Sequence, residues 1–128
     1  MSYGYKKQVS LPFNEAVEKT RQALAREGFG VLTEIDVKAT LKKKLNADFE
    51  DYLIMGACNP PLAYQVLQVI KDAGLMMPCN VIVFTENGRT FVEAAMPSVL
   101  VTLLQNDQLR STAEKAEAGL KRAIDSIG

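Results

Sequence analysis

Val81-Ile82-Val83-Phe84-Thr85-Glu86-Asn87-Gly88-Arg89-Thr90-Phe91-Val92-Glu93-Ala94-Ala95-Met96 is the stretch that decides the fold. Two runs rich in β-branched and aromatic residues flank Asn87-Gly88. That dipeptide is favoured in a two-residue type I′ loop, where both central residues need positive φ. So short a loop sets the register: Glu86 opposes Arg89 and Phe84 opposes Phe91 across the strands. Antiparallel pairing is therefore the core expectation.

Upstream of the hairpin, Asn59 is suited to cap a helix with Pro60 at its first position. Leu62, Ala63, Val66, Leu67 and Ile70 form its buried stripe, and Gly74 ends it. Tyr52 to Cys58 is apolar at both parities and predicts a strand covered on both faces. Lys38 to Asn46 predicts a short surface helix, with Leu41 and Leu45 four apart among lysines. Phe29 to Val37 predicts a strand with Phe29, Val31, Thr33, Ile35 and Val37 on one side. Leu32, Glu34 and Asp36 occupy the other. Pro12 opens a helix whose stripe is Phe13, Val17, Thr20 and Leu24, with Gly28 as its stop. Tyr3 to Leu11 alternates as a half-buried strand, with Lys7 out of pattern.

Downstream, Pro97 starts a short helix reaching Leu104. Leu109, Ala113, Ala116, Leu120, Ile124 and Ile127 then recur at helical spacing. No repeat, low-complexity stretch or linker interrupts residues 1–128, which predicts one α+β domain.

Composition narrows function by exclusion. With 128 residues and 48% hydrophobic content, the chain can bury a core. Fifteen basic and fifteen acidic residues cancel, so no global field draws nucleic acid or an anionic membrane. The start, Met1-Ser2-Tyr3-Gly4-Tyr5-Lys6-Lys7, shows no signal-peptide stretch, and the longest apolar run is too short to span a bilayer. The expectation is a cytoplasmic protein without nucleic-acid or membrane partners, whose cysteines are thiols. Histidine is absent, which removes Ser-His and Cys-His mechanisms and the commonest zinc ligand.

Two Cys-Asn pairs are the leading site candidates: Cys58-Asn59 before Pro60, and Cys79-Asn80 after Pro78. Cysteine chemistry needs the thiolate, which a helix N-terminus favours, and Cys58 immediately precedes such a terminus. Against this stands the ordinary fate of free cysteine as a small buried hydrophobe. If strands three and four are parallel, the thiols fall at opposite ends of the sheet. If they are antiparallel, the thiols share one end. Two thiolates suit a soft metal such as Cu(I), with Cys58 and Cys79 as ligands. The intervening sequence matches no zinc spacing.

A second candidate is Glu34, Asp36 and Lys38, alternate residues that would project from one strand face and bind a polar ligand. The competing reading is a strand end solvated by charge. Lys42-Lys43-Lys44 reads as a solvated helix face, and Met76-Met77 as core filling rather than thioether ligands. Gly28-Phe29-Gly30 enters a strand and lacks the third glycine of a dinucleotide fingerprint.

The segments also resemble a known family. Phe13-Asn14-Glu15-Ala16-Val17, the stretch from Gly28 to Lys38, Gly56-Ala57-Cys58-Asn59-Pro60, Pro78-Cys79-Asn80-Val81 and the Met96-Pro97 helix are similar to domain-of-unknown-function family 302. The resemblance implies a compact α+β domain with helices on a curved, mainly antiparallel sheet, and a homodimer. Its pattern includes the Glu34, Asp36, Lys38 strand and both Cys-Asn pairs. One departure is Met96, where many members carry an acidic residue before the proline. The resemblance brings no activity or cofactor.

Together these readings predict a homodimeric, non-catalytic module binding a small polar ligand or soft metal. Its candidate residues are Glu34, Asp36, Lys38, Cys58, Asn59, Cys79 and Asn80. The alternatives are a thiol enzyme using Cys58 and Cys79, and a purely structural or interaction protein.

Overall fold

The computed structural model describes residues 3–128, leaving Met1 and Ser2 outside it. Five strands form one open antiparallel sheet in the order β1-β5-β4-β3-β2. They are β1 (Gly4–Val9), β2 (Gly30–Asp36), β3 (Tyr52–Cys58), β4 (Cys79–Glu86) and β5 (Arg89–Ala95). The hairpin of β4 and β5 forms with Glu86 opposite Arg89 and Phe84 opposite Phe91. Asn87 (φ 52°) and Gly88 (φ 76°) both take the positive φ that a type I′ loop demands.

The helices are α1 (Phe13–Arg26), α2 (Val37–Leu45), α3 (Pro60–Val69), α4 (Ser98–Leu104) and α5 (Arg110–Asp125). The two long ones, α1 and α5, pack on the same face of the sheet. Their buried residues Ala16, Val17, Leu24, Leu120 and Ile124 meet Met55, Val81, Val83, Val92 and Ala94 of the strands. This is the main core. A second apolar cluster holds Val66 of α3, Ala73, Val101 of α4, Leu109 and Ala113 of α5.

The other face of the sheet carries Ile54 of β3, Ile82 and Phe84 of β4, and Phe91 of β5, all half-buried, with Ile35 of β2 50% exposed. Tyr52, Phe84 and Phe91 stack in a row across three strands, with ring centroids 5.5 and 5.3 Å apart. Lys6 stands over the last two rings. Residues of opposite charge stand across from each other in the register beside them, Lys6 opposite Glu93 and Glu86 opposite Arg89.

Lys7, which breaks the alternation of β1, has a structural role. Its Nζ donates to the carbonyls of Asp125 and Ile127 at the end of α5. Cations favour such helix C-termini, where carbonyls lack helical partners. Tyr5 Oη donates to Asp125 Oδ1 at 2.8 Å, and Ser10 N–H donates to the Gly128 carbonyl.

Three local expectations change. The strand expected from Phe29 to Val37 carries a register shift between Val31 and Thr33. A bulge flips the alternation beyond it. Val31 then opposes Ala57 and Glu34 opposes Met55 on the helix-covered side, while Ile35 opposes Ile54 on the other. Lys38 belongs to α2, not to a strand, so Glu34, Asp36 and Lys38 do not form a row. The helix expected to reach Gly74 stops at Val69. Ile70 turns extended (φ −152°, ψ 122°) and a 3-10 turn over Lys71–Met76 follows, burying Ala73. Adjacent β-branched Val69 and Ile70 weaken the helix there. Of its expected stripe only Val66 is buried. No helix among the described residues is long and apolar enough to cross a membrane.

Candidate functional site

The site starts from strand order. Since β4 lies antiparallel beside β3, Ala57 faces Cys79, and Cys58 follows Ala57 directly. From sheet spacing the two cysteine Cα atoms lie about 6 Å apart. The antiparallel alternative for strands three and four is the one the chain adopts, and the thiols share one end of the sheet.

Both cysteines line an apolar recess of about 50 Å³ at the seam between the two clusters. Phe29, Ala57 and Ala116 reach it from the main core, and Val66, Leu109 and Ala113 from the second. Besides the thiols, the polar side chains in its wall are Asn59 and Thr112. Asn59 Oδ1 accepts from Leu62 N–H at 3.3 Å, capping α3 as its position before Pro60 predicts. Thr112 Oγ1 donates to Gln65 Oε1 at 3.2 Å. The wall therefore offers few free partners to a polar ligand.

Burial pushes the Cys79 thiol up to about 11, and the neighbouring Cys58 charge adds to the rise. Cys79 is protonated at neutral pH and is a weak nucleophile there. Both cysteines are free thiols.

A close approach holds this corner together. A Cβ on Gly56 would strike Thr33 Oγ1 and come within 2.8 Å of Pro78 Cγ. Glycine at 56 lets β2, β3 and the Pro78 turn converge beside Cys79.

The structure separates the other candidates. Asn80 opposes Gly56, is exposed, and borders a different recess of about 180 Å³ with Met76 and Leu103. Cys79 forms part of both walls.

Glu34, Asp36 and Lys38 lie away from the thiols, toward the opposite end of β3. Each has local work. Arg21 donates from Nε and Nη2 to the Glu34 carboxylate at 2.7 and 2.8 Å, which holds Glu34 below the ordinary carboxylate value. Asp36 caps α2, accepting from Ala39 N–H at 2.9 Å. Lys38 pairs with Asp51 at 3.4 Å. Lys42 pairs with Asp48 at the solvated end of α2.

Sequence reading missed several residues of the recess. Phe29, Thr112 and Ala113 come from distant elements and carry no local signal. Met77 also lines the recess; its cue was adjacency to Pro78-Cys79. Among the described residues, no three His, Cys, Asp or Glu side chains gather as a metal site.

The model of the family described as "Domain of unknown function DUF302" matches residues 5–127. A crystal structure of an uncharacterized conserved DUF302 protein from Bacillus stearothermophilus is 32% identical. It superposes with a TM-score of 0.91 over 98% of each chain. No curated protein matches.

Proposed function

Because the chain belongs to the DUF302 family, whose description names no activity, we propose a function from the site: a non-catalytic binding module that captures a small, soft ligand in the Cys58–Cys79 recess. The observation that carries this reading is the apolar recess at the shared end of β3 and β4, whose lining residues include the two free cysteines. Small concave sites with few, placed polar groups are where ligands bind. The apolar wall favours a soft ligand over the small polar one that the sequence also admits.

A thiol enzyme is the weaker reading. Its resolving cysteine would be Cys79, whose raised pKa keeps the thiolate scarce at neutral pH. The carboxylates and Lys38 that would have to serve as bases are engaged elsewhere.

The module acts as a homodimer through the open face of the sheet. Support comes from the apolar centre of that face and its adjoining pairs of opposite charge, which suit a self-complementary two-fold contact.

Native mass spectrometry of protein purified without oxygen tests the ligand claim. The expected spectrum shows a mass increment that disappears in Cys79→Ser. A bare chain mass for both proteins, with no increment after incubation with soft-metal salts or cell extract, counts against binding.

A further inference from the structure

Resting on the reading that this recess is the ligand site, we infer that it takes an uncharged aliphatic chain with one polar end, of the class of a medium-chain alcohol. The tail fills the recess between Phe29 and Ala113, and the polar end lies outside it at Asn80.

Two cavities together carry this. The recess of about 50 Å³ shares Pro78, Cys79, Pro97 and Leu100 with the recess of about 180 Å³ beside Asn80. One layer of side chains therefore divides an inner lobe from an outer one. A compact ligand fills either lobe alone, whereas an occupant of both is long and narrow. Met77 stands in the inner wall and Met76 in the outer, and half-buried Leu100 belongs to both. Unbranched methionines repack easily around an apolar guest, so the partition yields to a chain that passes it.

The walls select the chemistry. Among the described residues, no Lys, Arg, Asp or Glu side chain lines either lobe. A carboxylate or ammonium taken in would lack a partner, and burying such a charge is costly. The inner polar side chains Asn59 and Thr112 are tied to Leu62 and Gln65, so the end of the tail meets alkyl groups and the Phe29 ring. The Cys79 thiol stays protonated and packs as a small apolar group. Polar side chains recur further out, where Asn80 is exposed and Tyr3 is 79% exposed. Hydrocarbon within and one neutral polar group at the mouth match that gradient.

The test is a titration of the full chain, labelled at its alanine and methionine methyls, with butanol, hexanol, octanol and octanoate, followed by NMR. Octanol should shift Met77 and Ala113 of the inner lobe together with Met76 and Ala95 of the outer one. Affinity for the alcohols should rise about fourfold per added methylene, the worth of burying each one. Octanol should bind more tightly than octanoate. Affinity that is flat along the alcohols, or a tighter hold on octanoate, overturns the proposal. Those readings come from the wild type and do not depend on the folding of a variant. Ala63→Leu extends a side chain from α3 into the inner lobe with a good helix former. It should weaken octanol about tenfold or more, the worth of two methylenes, and unchanged octanol binding in it overturns the inner position of the tail.

Dissolved xenon, an apolar sphere that enters dry cavities, is the parallel arm. Xenon shifts at Met77 and Ala113 without octanol shifts there defeat the chain and leave the recess standing. Silence of both methyls toward xenon and octanol alike defeats the recess reading as well.

Discussion

Cys79 shows how one residue couples site chemistry to stability. Its thiol is raised from about 9 to about 11 by burial, so the folded state holds its proton more tightly than the unfolded chain. The resulting stability is complete below about pH 9 and fades as pH climbs toward 11. It is on the order of 3 kcal/mol, from roughly 1.4 kcal/mol per pKa unit over about two units. Urea midpoints measured at pH 8 and pH 11 should therefore fall further for the wild type than for Cys79→Ala. An equal fall in both would assign the loss to other groups. At this scale the sequence marks a thiol but not its environment. Nothing in Met77-Pro78-Cys79-Asn80 says that its cysteine is covered by α5 and α4 while its asparagine is exposed.

Elements were legible where the signal is local. Asn87-Gly88 announces its hairpin, and Asn59-Pro60 announces the start of α3, because turn and cap chemistry lie within a few residues. The bulge in β2 and the early end of α3 were not legible. Both answer to neighbours: β2 to the register of β3, and Ile70 to the cluster around Val101 and Leu109. The same distinction gives a prediction for the charged candidates. Asp36 and Asn59 act as caps, so Asp36→Ala and Asn59→Ala should each cost about 1 kcal/mol. Glu34→Gln removes a largely solvated ion pair and should cost less, within about 0.2–1 kcal/mol. Chemical denaturation ranks the three. A Glu34 variant that lowers ligand retention at unchanged stability would return that carboxylate to the site.

At the scale of the whole molecule, the sheet decides what the sequence left open. Whether the Cys-Asn pairs meet depends on β3 and β4 being antiparallel neighbours, a relation between segments that no segment encodes. The same sheet leaves one face without the α1–α5 layer. If that face is the dimer contact, Phe84→Glu should place charge at its centre, where an unpaired ion is costly to desolvate. The expected result is a halved mass by light scattering with an unchanged far-UV spectrum. A wild-type monomer at micromolar concentration would remove the dimer from the reading.

The clasp between β1 and α5 has a consequence in time. Lys7 and Asp125 are 118 residues apart in sequence, and among the described residues β1 pairs with β5 alone. At ribosomal rates of about 5–20 residues per second, the first strand waits on the order of ten seconds before its fastener is made. Until then it is an unpaired edge. Lys6, Lys7 and Gln8 make that edge polar during the wait, which discourages pairing with the wrong chain. The lysine that breaks the strand's pattern thus guards it first and locks it last.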